Sequence, residues 1–96
     1  MQIRLHFDGF WNEFDRSDNI WIWILKQKYD VVLDSINPNL VFTMNLKKNY
    51  PNSVTVYYSN EPYFPDESFV ENTFDFSMSN FFIDSKKHIR FPSYYM

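Results

Sequence analysis

The sequence predicts a small α/β domain, a Rossmann-like and mostly parallel sheet with few helices. Three observations carry that expectation. Short β-rich runs recur along the 96 residues. One of them, residues 31–33, is continuously apolar, as strands of a two-sided parallel sheet are. Helical spacing separates the first run from the second, which is the βα alternation of an α/β chain.

The first strand is expected at 2–7. Ile3, Leu5 and Phe7 share one face and Gln2, Arg4 and His6 the other, a period of two. It ends in Asp8-Gly9, a turn signal and the only glycine of the chain. A polar and aromatic loop, 10–15, follows. Ser17 or Asp18 can cap a helix there, in which Ile20, Trp21, Ile24 and Leu25 make the apolar stripe, with Lys26 and Lys28 in the last turn. Trp and Ile are middling helix formers, so packing must hold this helix. Val31-Val32-Leu33 reads as a buried strand, and Ile36 to Asn39 as a turn around Pro38. Further strands are expected at 40–44 and 54–58, separated by a polar linker with Pro51. Pro62 and Pro65 make a loop of 61–66, a short helix is expected at 67–72, and strands at 74–78 and 88–91 complete the list. The connection from 33 to 40 is too short for a crossover helix, so an irregular variant of the sheet is expected.

Composition excludes several classes. The length suits one domain. With no cysteine there is neither a disulfide framework nor a thiolate metal site. A net charge of −3 and only three arginines, Arg4, Arg16 and Arg90, argue against a nucleic-acid binder. No apolar run approaches the roughly 20 residues of a membrane helix, and the amino terminus resembles no signal or transit peptide, so the expected location is cytoplasmic. Aromatic residues make up 22% of the chain while alanine is missing. That skew, together with abundant Asn, Ile and Lys, is what AT-rich codon usage produces, so a stacking surface must be argued ring by ring.

Open α/β sheets bind ligands just past the carboxyl ends of their strands. Two loops qualify, Asp8 to Trp11 and Ser59 to Pro62. Pro62 biases Glu61 toward an extended backbone, and Asn60 tolerates a left-handed one, so the Glu61 carboxylate sits on a constrained corner. It reads either as a general base toward a hydroxyl or as a solvated loop acid. Trp11 and Phe14 read either as stacking rings or as core cover beside the helix. Asp15 and Asp18 read as charges at the helix start, or as cation ligands. His6 and His88 lack any metal-ligand spacing and read as structural. No phosphate-binding glycine loop, nucleophile elbow or His-Glu metal motif is present in the sequence.

Taken together, these segments resemble bacterial α-1,3-fucosyltransferases of glycosyltransferase family 10. The run His6 to Trp11, then Phe14-Asp15 and Asp18-Asn19, resembles the family's opening strand, Phe-Trp pair, Phe-Asp and Asp-Asn. Lys28 to Val31 resembles its helix exit, and Asn37 to Phe42 its Asp-Pro-Asp-Tyr-Leu segment. Val56 to Glu61 resembles its Phe-Tyr-Thr-Gly-Glu, and Phe64-Pro65-Asp66 its Arg-Pro-Asp. Thr73 to Ser77 resembles a Cys-Asp-Tyr-Ala segment, and Ile89 to Tyr95 the Leu-Arg-Leu-Pro-Leu-Tyr ending. The departures are Asn60 in place of the Gly before the family's Glu and Pro62 in place of the Asn after it.

The resemblance implies the amino-terminal, acceptor-side domain over residues 1–96 of a two-domain GT-B enzyme, with the donor-binding carboxyl-terminal domain absent. It implies transfer of fucose from GDP-fucose, with inversion, to an N-acetyllactosamine-type (GlcNAc-containing) glycan. Glu61 would be the catalytic base, and Phe10, Trp11, Asn60 and Tyr63 would contact the acceptor. No cofactor or metal is expected in this chain itself, which would be inactive alone. Membrane contact of the complete enzyme would be peripheral, through its carboxyl-terminal tail. The competing expectation is a non-catalytic carbohydrate- or partner-binding module, motivated by the loop aromatics Phe10, Trp11, Tyr63 and Phe64.

Overall fold

A computed structural model describes residues 1–59, 65–79, 83 and 85–90. The elements run β1 (Gln2–Asp8), α1 (Ile20–Leu25), β2 (Asp30–Leu33), β3 (Leu40–Thr43), β4 (Val54–Ser59), α2 (Glu67–Thr73), β5 (Phe76–Ser79) and β6 (His88–Arg90). The six strands form one sheet in the order β2-β1-β3-β4-β5-β6, and every neighbouring pair is parallel. The predicted α/β fold with a parallel sheet and few helices is the observed one.

The irregularity expected between 33 and 40 has a simple geometric basis. β2 pairs with the first half of β1, Gln2 through Leu5, and β3 with the second half, Leu5 through Asp8. Leu33 and Leu40 therefore both lie level with Leu5. The chain has only to step sideways past β1, a hop of two strand spacings or roughly 10 Å. A parallel pair normally needs a long crossover because the chain must return the length of a strand, and here there is no length to return. Polar groups pin the hop to β1. The Asp34 N–H donates to the Leu5 carbonyl at 2.9 Å and the Asn39 N–H to that of Arg4 at 2.8 Å. The Asn39 side chain accepts from the Arg4 N–H at 2.8 Å. Asp34 accepts from the N–H groups of Ile36 and Asn37, which holds its carboxyl below the ordinary carboxylate value.

The period-two pattern of β1 sorts the sheet's two faces. On the α1 side, Leu5, Phe7, Phe10, Phe14, Trp21, Ile22, Phe42, Val56 and Tyr58 are buried in one cluster. Within it Phe7 lies against three phenylalanine rings, with centroids of Phe14 at 5.1 Å, Phe10 at 5.4 Å and Phe42 at 5.5 Å. Most of the predicted aromatic excess in the described residues is thus core, where large rings fill space that alanine cannot. On the other side, α2 covers less: Tyr57, Val70 and Phe74 pack with Leu46.

Four local expectations are corrected. Asn19 caps α1, accepting from the Ile22 N–H, because Asp15 turns back to Ser17 and Asp18 bonds Trp23. Ile22 is buried and Ile24 exposed, and the helix stops at Leu25, ahead of both lysines. β2 is an edge strand with Val32 and Leu33 exposed, so its apolar run does not signal burial on both faces. Phe74 belongs to the end of α2, and β5 begins two residues later. The last residue of the final predicted strand, Phe91, lies outside the described residues.

Candidate functional site at the carboxyl edge

Because every described strand is parallel, their carboxyl ends share one edge of the sheet. β1 ends there at Asp8, β3 at Thr43 and β4 at Ser59. The strand order reverses between β1 and β3: β2 lies to one side of β1 and all later strands to the other. Such a reversal opens a crevice outside the strand ends, the usual ligand position in open α/β sheets.

Polar residues line this position. The Thr43 hydroxyl donates to the Asp8 carboxylate at 3.2 Å and accepts from the Asn45 N–H at 3.0 Å. Gly9 follows in a left-handed conformation, φ 76°, and an added Cβ would meet Asn45 at 3.5 Å. Glycine is suited here by its backbone freedom rather than by lack of space. Next along β1, the His6 ring packs edge-on against Tyr50 at 6.1 Å. Burial lowers the imidazole pKa from its ordinary 6.5; Asp8 opposes this, while Lys48 and Arg16 add to it. Burial raises the Tyr50 phenol above its ordinary 10.0, and Lys48 partly offsets that. Sequence reasoning names the Asp8 loop but misses Thr43, Tyr50 and Lys48; only the sheet order brings them to it.

The loop after β1 is held from beneath. The Arg16 guanidinium donates to the carbonyls of Phe10 at 3.0 Å and Phe14 at 3.4 Å. Phe10 is 5% exposed, stacked at 5.8 Å on Tyr58 of β4 and at 5.8 Å on Trp11. Trp11 is 38% exposed. Phe10 is therefore a core ring that buttresses its neighbour, and Trp11 is the ring presented to solvent. Trp11 forms one wall of a cleft of about 320 Å³ with Phe14, Asp18, Asn19 and Trp23. Glu61, Asn60 and Tyr63 lie outside the described residues; Glu61 follows the buried Ser59 at the end of β4 by two positions.

His88, the other lone histidine, faces Ser77 and Ser79 of β5, with Nδ1 at 2.7 Å and Nε2 at 3.1 Å from their hydroxyls. Among the described residues no three His, Asp or Glu side chains gather in a metal-binding group.

The family model of the alpha-(1,3)-fucosyltransferase FucT N-terminal domain matches residues 5–96. The chain belongs to this family. Among solved structures, a crystal structure of an alpha1,3-fucosyltransferase with GDP superposes on this FucT N-terminal domain with a TM-score of 0.69 at 23% identity. The alignment covers 98% of this chain and 27% of that one, so the FucT N-terminal domain spans about a quarter of the solved chain's length. No curated protein matches the sequence. No helix among the described residues of the FucT N-terminal domain is long and apolar enough to cross a membrane.

Proposed function

We propose that the chain is the acceptor-binding half of an inverting α-1,3-fucosyltransferase of glycosyltransferase family 10, with a GT-B architecture. The donor, GDP-fucose, would be held by a second, carboxyl-terminal domain. The observation that carries the reading is the family match over residues 5–96. The parallel sheet supports it, because the ends of β1 and β4, which lead to Trp11 and to Glu61, share one edge.

In the proposed reaction Glu61 takes the proton from an acceptor hydroxyl as its oxygen attacks the anomeric carbon of fucose. GDP departs from the opposite face, so the configuration inverts, as when a carboxylate activates the nucleophile in inverting glycoside hydrolysis. Trp11 supplies the acceptor-facing ring, Phe10 sets its position from the core, and Asn60 and Tyr63 are assigned to acceptor binding. The acceptor is a GlcNAc-containing, N-acetyllactosamine-type glycan. The departing diphosphate needs positive charge. Arg4 and Arg16 donate to backbone carbonyls; in this reading the charge is supplied by the donor domain, and this domain alone is expected to turn over no substrate.

Supplied with a donor-binding domain, the Glu61→Ala variant is expected to lose about 10²–10⁴-fold in turnover with acceptor affinity retained. Undiminished turnover would remove Glu61 as the base.

A further inference from the structure

Tryptophan is ordinarily well buried, yet two tryptophans of this small domain face one cleft. Trp11 stands on the loop leaving β1, and Trp23 lies on the solvent side of α1 at 58% exposure. Trp23 contributes nothing to the core cluster. It is nevertheless held in place, because its indole N–H donates to the Asp18 carboxylate at 2.6 Å. A flat aromatic face is thus fixed in solvent before any ligand arrives, which lowers the ordering cost of binding.

The rim of the cleft is acidic. Glu13, Asp15 and Asp18 line it together with Asn19. Glu13 has no hydrogen-bond or ion-pair partner among the described residues. Asp15 accepts from the Ser17 N–H and hydroxyl. The nearby cation, Arg16, is turned to the carbonyls of Phe10 and Phe14. A pyranose matches this lining: its C–H face packs on an indole, whose face is electron-rich, and its hydroxyls donate to carboxylates in charge-assisted bonds. A volume of about 320 Å³ sits at the small end of ligand sites, roughly 300–1,000 Å³, and suits one ring rather than a chain of them. Anionic groups are disfavoured, since three carboxylates would face them.

We infer that the Trp11–Trp23 cleft is a second sugar subsite, which takes a neutral pyranose next to the ring that receives fucose and discriminates against carboxylate-bearing glycans. The inference rests on the acceptor-side reading. Trp23 and Glu13 are its new residues: Trp23 provides the platform and Glu13 the hydroxyl acceptor and the charge filter.

The test is an NMR titration of the 96-residue chain with N-acetylglucosamine, with N-acetyllactosamine, and with sialylated N-acetyllactosamine. The disaccharide is expected to shift the Trp23 indole N–H and to bind more tightly than the monosaccharide. In Trp23→Ala that advantage should fall by roughly tenfold. In the unmodified chain the sialylated glycan should bind more weakly than the neutral one, and Glu13→Gln should narrow the gap. Trp23 is a surface residue, so its removal leaves the fold in place, which the dispersion of the same spectra verifies. Shifts at Gly9 and Ser59 with Trp23 silent would overturn the subsite and leave the acceptor-side reading standing. No shift with any of the three glycans would overturn both. Equal or tighter binding of the sialylated glycan would overturn the charge filter.

Discussion

The hydroxyl of Thr43 donates to the carboxylate of Asp8 at 3.2 Å, joining the last residues of β3 and β1 where the strand order reverses. Thr43 is fully buried, and its oxygen also accepts the Asn45 N–H. One small side chain therefore bonds both the end of β1 and the backbone just after β3. Thr43→Val keeps the volume and strips the hydroxyl, leaving Asn45 N–H without its acceptor. Urea denaturation should show a loss of about 1–3 kcal/mol, with Thr43→Ser losing less. An unchanged midpoint for the valine variant would mean that water satisfies both groups and that the pair does not brace the ends of β1 and β3.

Asp75 plays a comparable part at the opposite edge. Its carboxylate accepts the Thr55 N–H at 2.8 Å and the Thr55 hydroxyl at 3.1 Å, while its own N–H donates to the Thr55 hydroxyl oxygen. A side chain here takes the place of a ladder bond just ahead of the first β4–β5 pair, Val56 with Phe76. Asp75→Ala should cost about 1–3 kcal/mol by leaving the Thr55 N–H unpaired, and amide exchange should quicken at Thr55. Retained protection at Thr55 would contradict this role.

The lowered pKa of His6 gives stability a defined pH dependence. Its folded-state value lies below the ordinary 6.5, so the unfolded chain binds more protons across that interval and stability falls as pH drops. The carboxylates of Asp15 and Asp34 are also lowered, from 3.8, and their contribution is lost only in more acid solution. Thermal melts between about pH 7 and pH 5 should therefore show a declining Tm, and the decline should be smaller in His6→Gln. An identical slope in that variant would assign the effect to another group.

The alternation in β1 and the short β-branched runs are enough to place strands along the sequence, and the helical spacing between the first two points to the α/β class, because these are local properties. What stayed hidden depends on neighbours that are remote in the chain. Val31 to Leu33 look like an interior strand, but among the described residues no strand pairs with β2 on its outer side. Asp18 looks like a helix cap, yet its carboxylate goes to Trp23 and Asn19 caps instead. Phe10 and Trp11 are equally aromatic in sequence; burial against Tyr58 separates the ring that supports the loop from the ring that faces solvent. Thr43 and Tyr50 carry no motif and join the site through topology alone.

Leu5, where the partnership of β1 passes from β2 to β3, divides that one strand into two segments in tandem. Peeling β2 away breaks pairs only from Gln2 to Leu5 and leaves the ladder from Leu5 to Asp8 intact. The outer edge can therefore fray as a separate cooperative unit without disturbing Asp8, Gly9 or the Trp11 loop. Amide exchange is expected to be faster for the pairs from Gln2 to Leu5 than for those from Leu5 to Asp8.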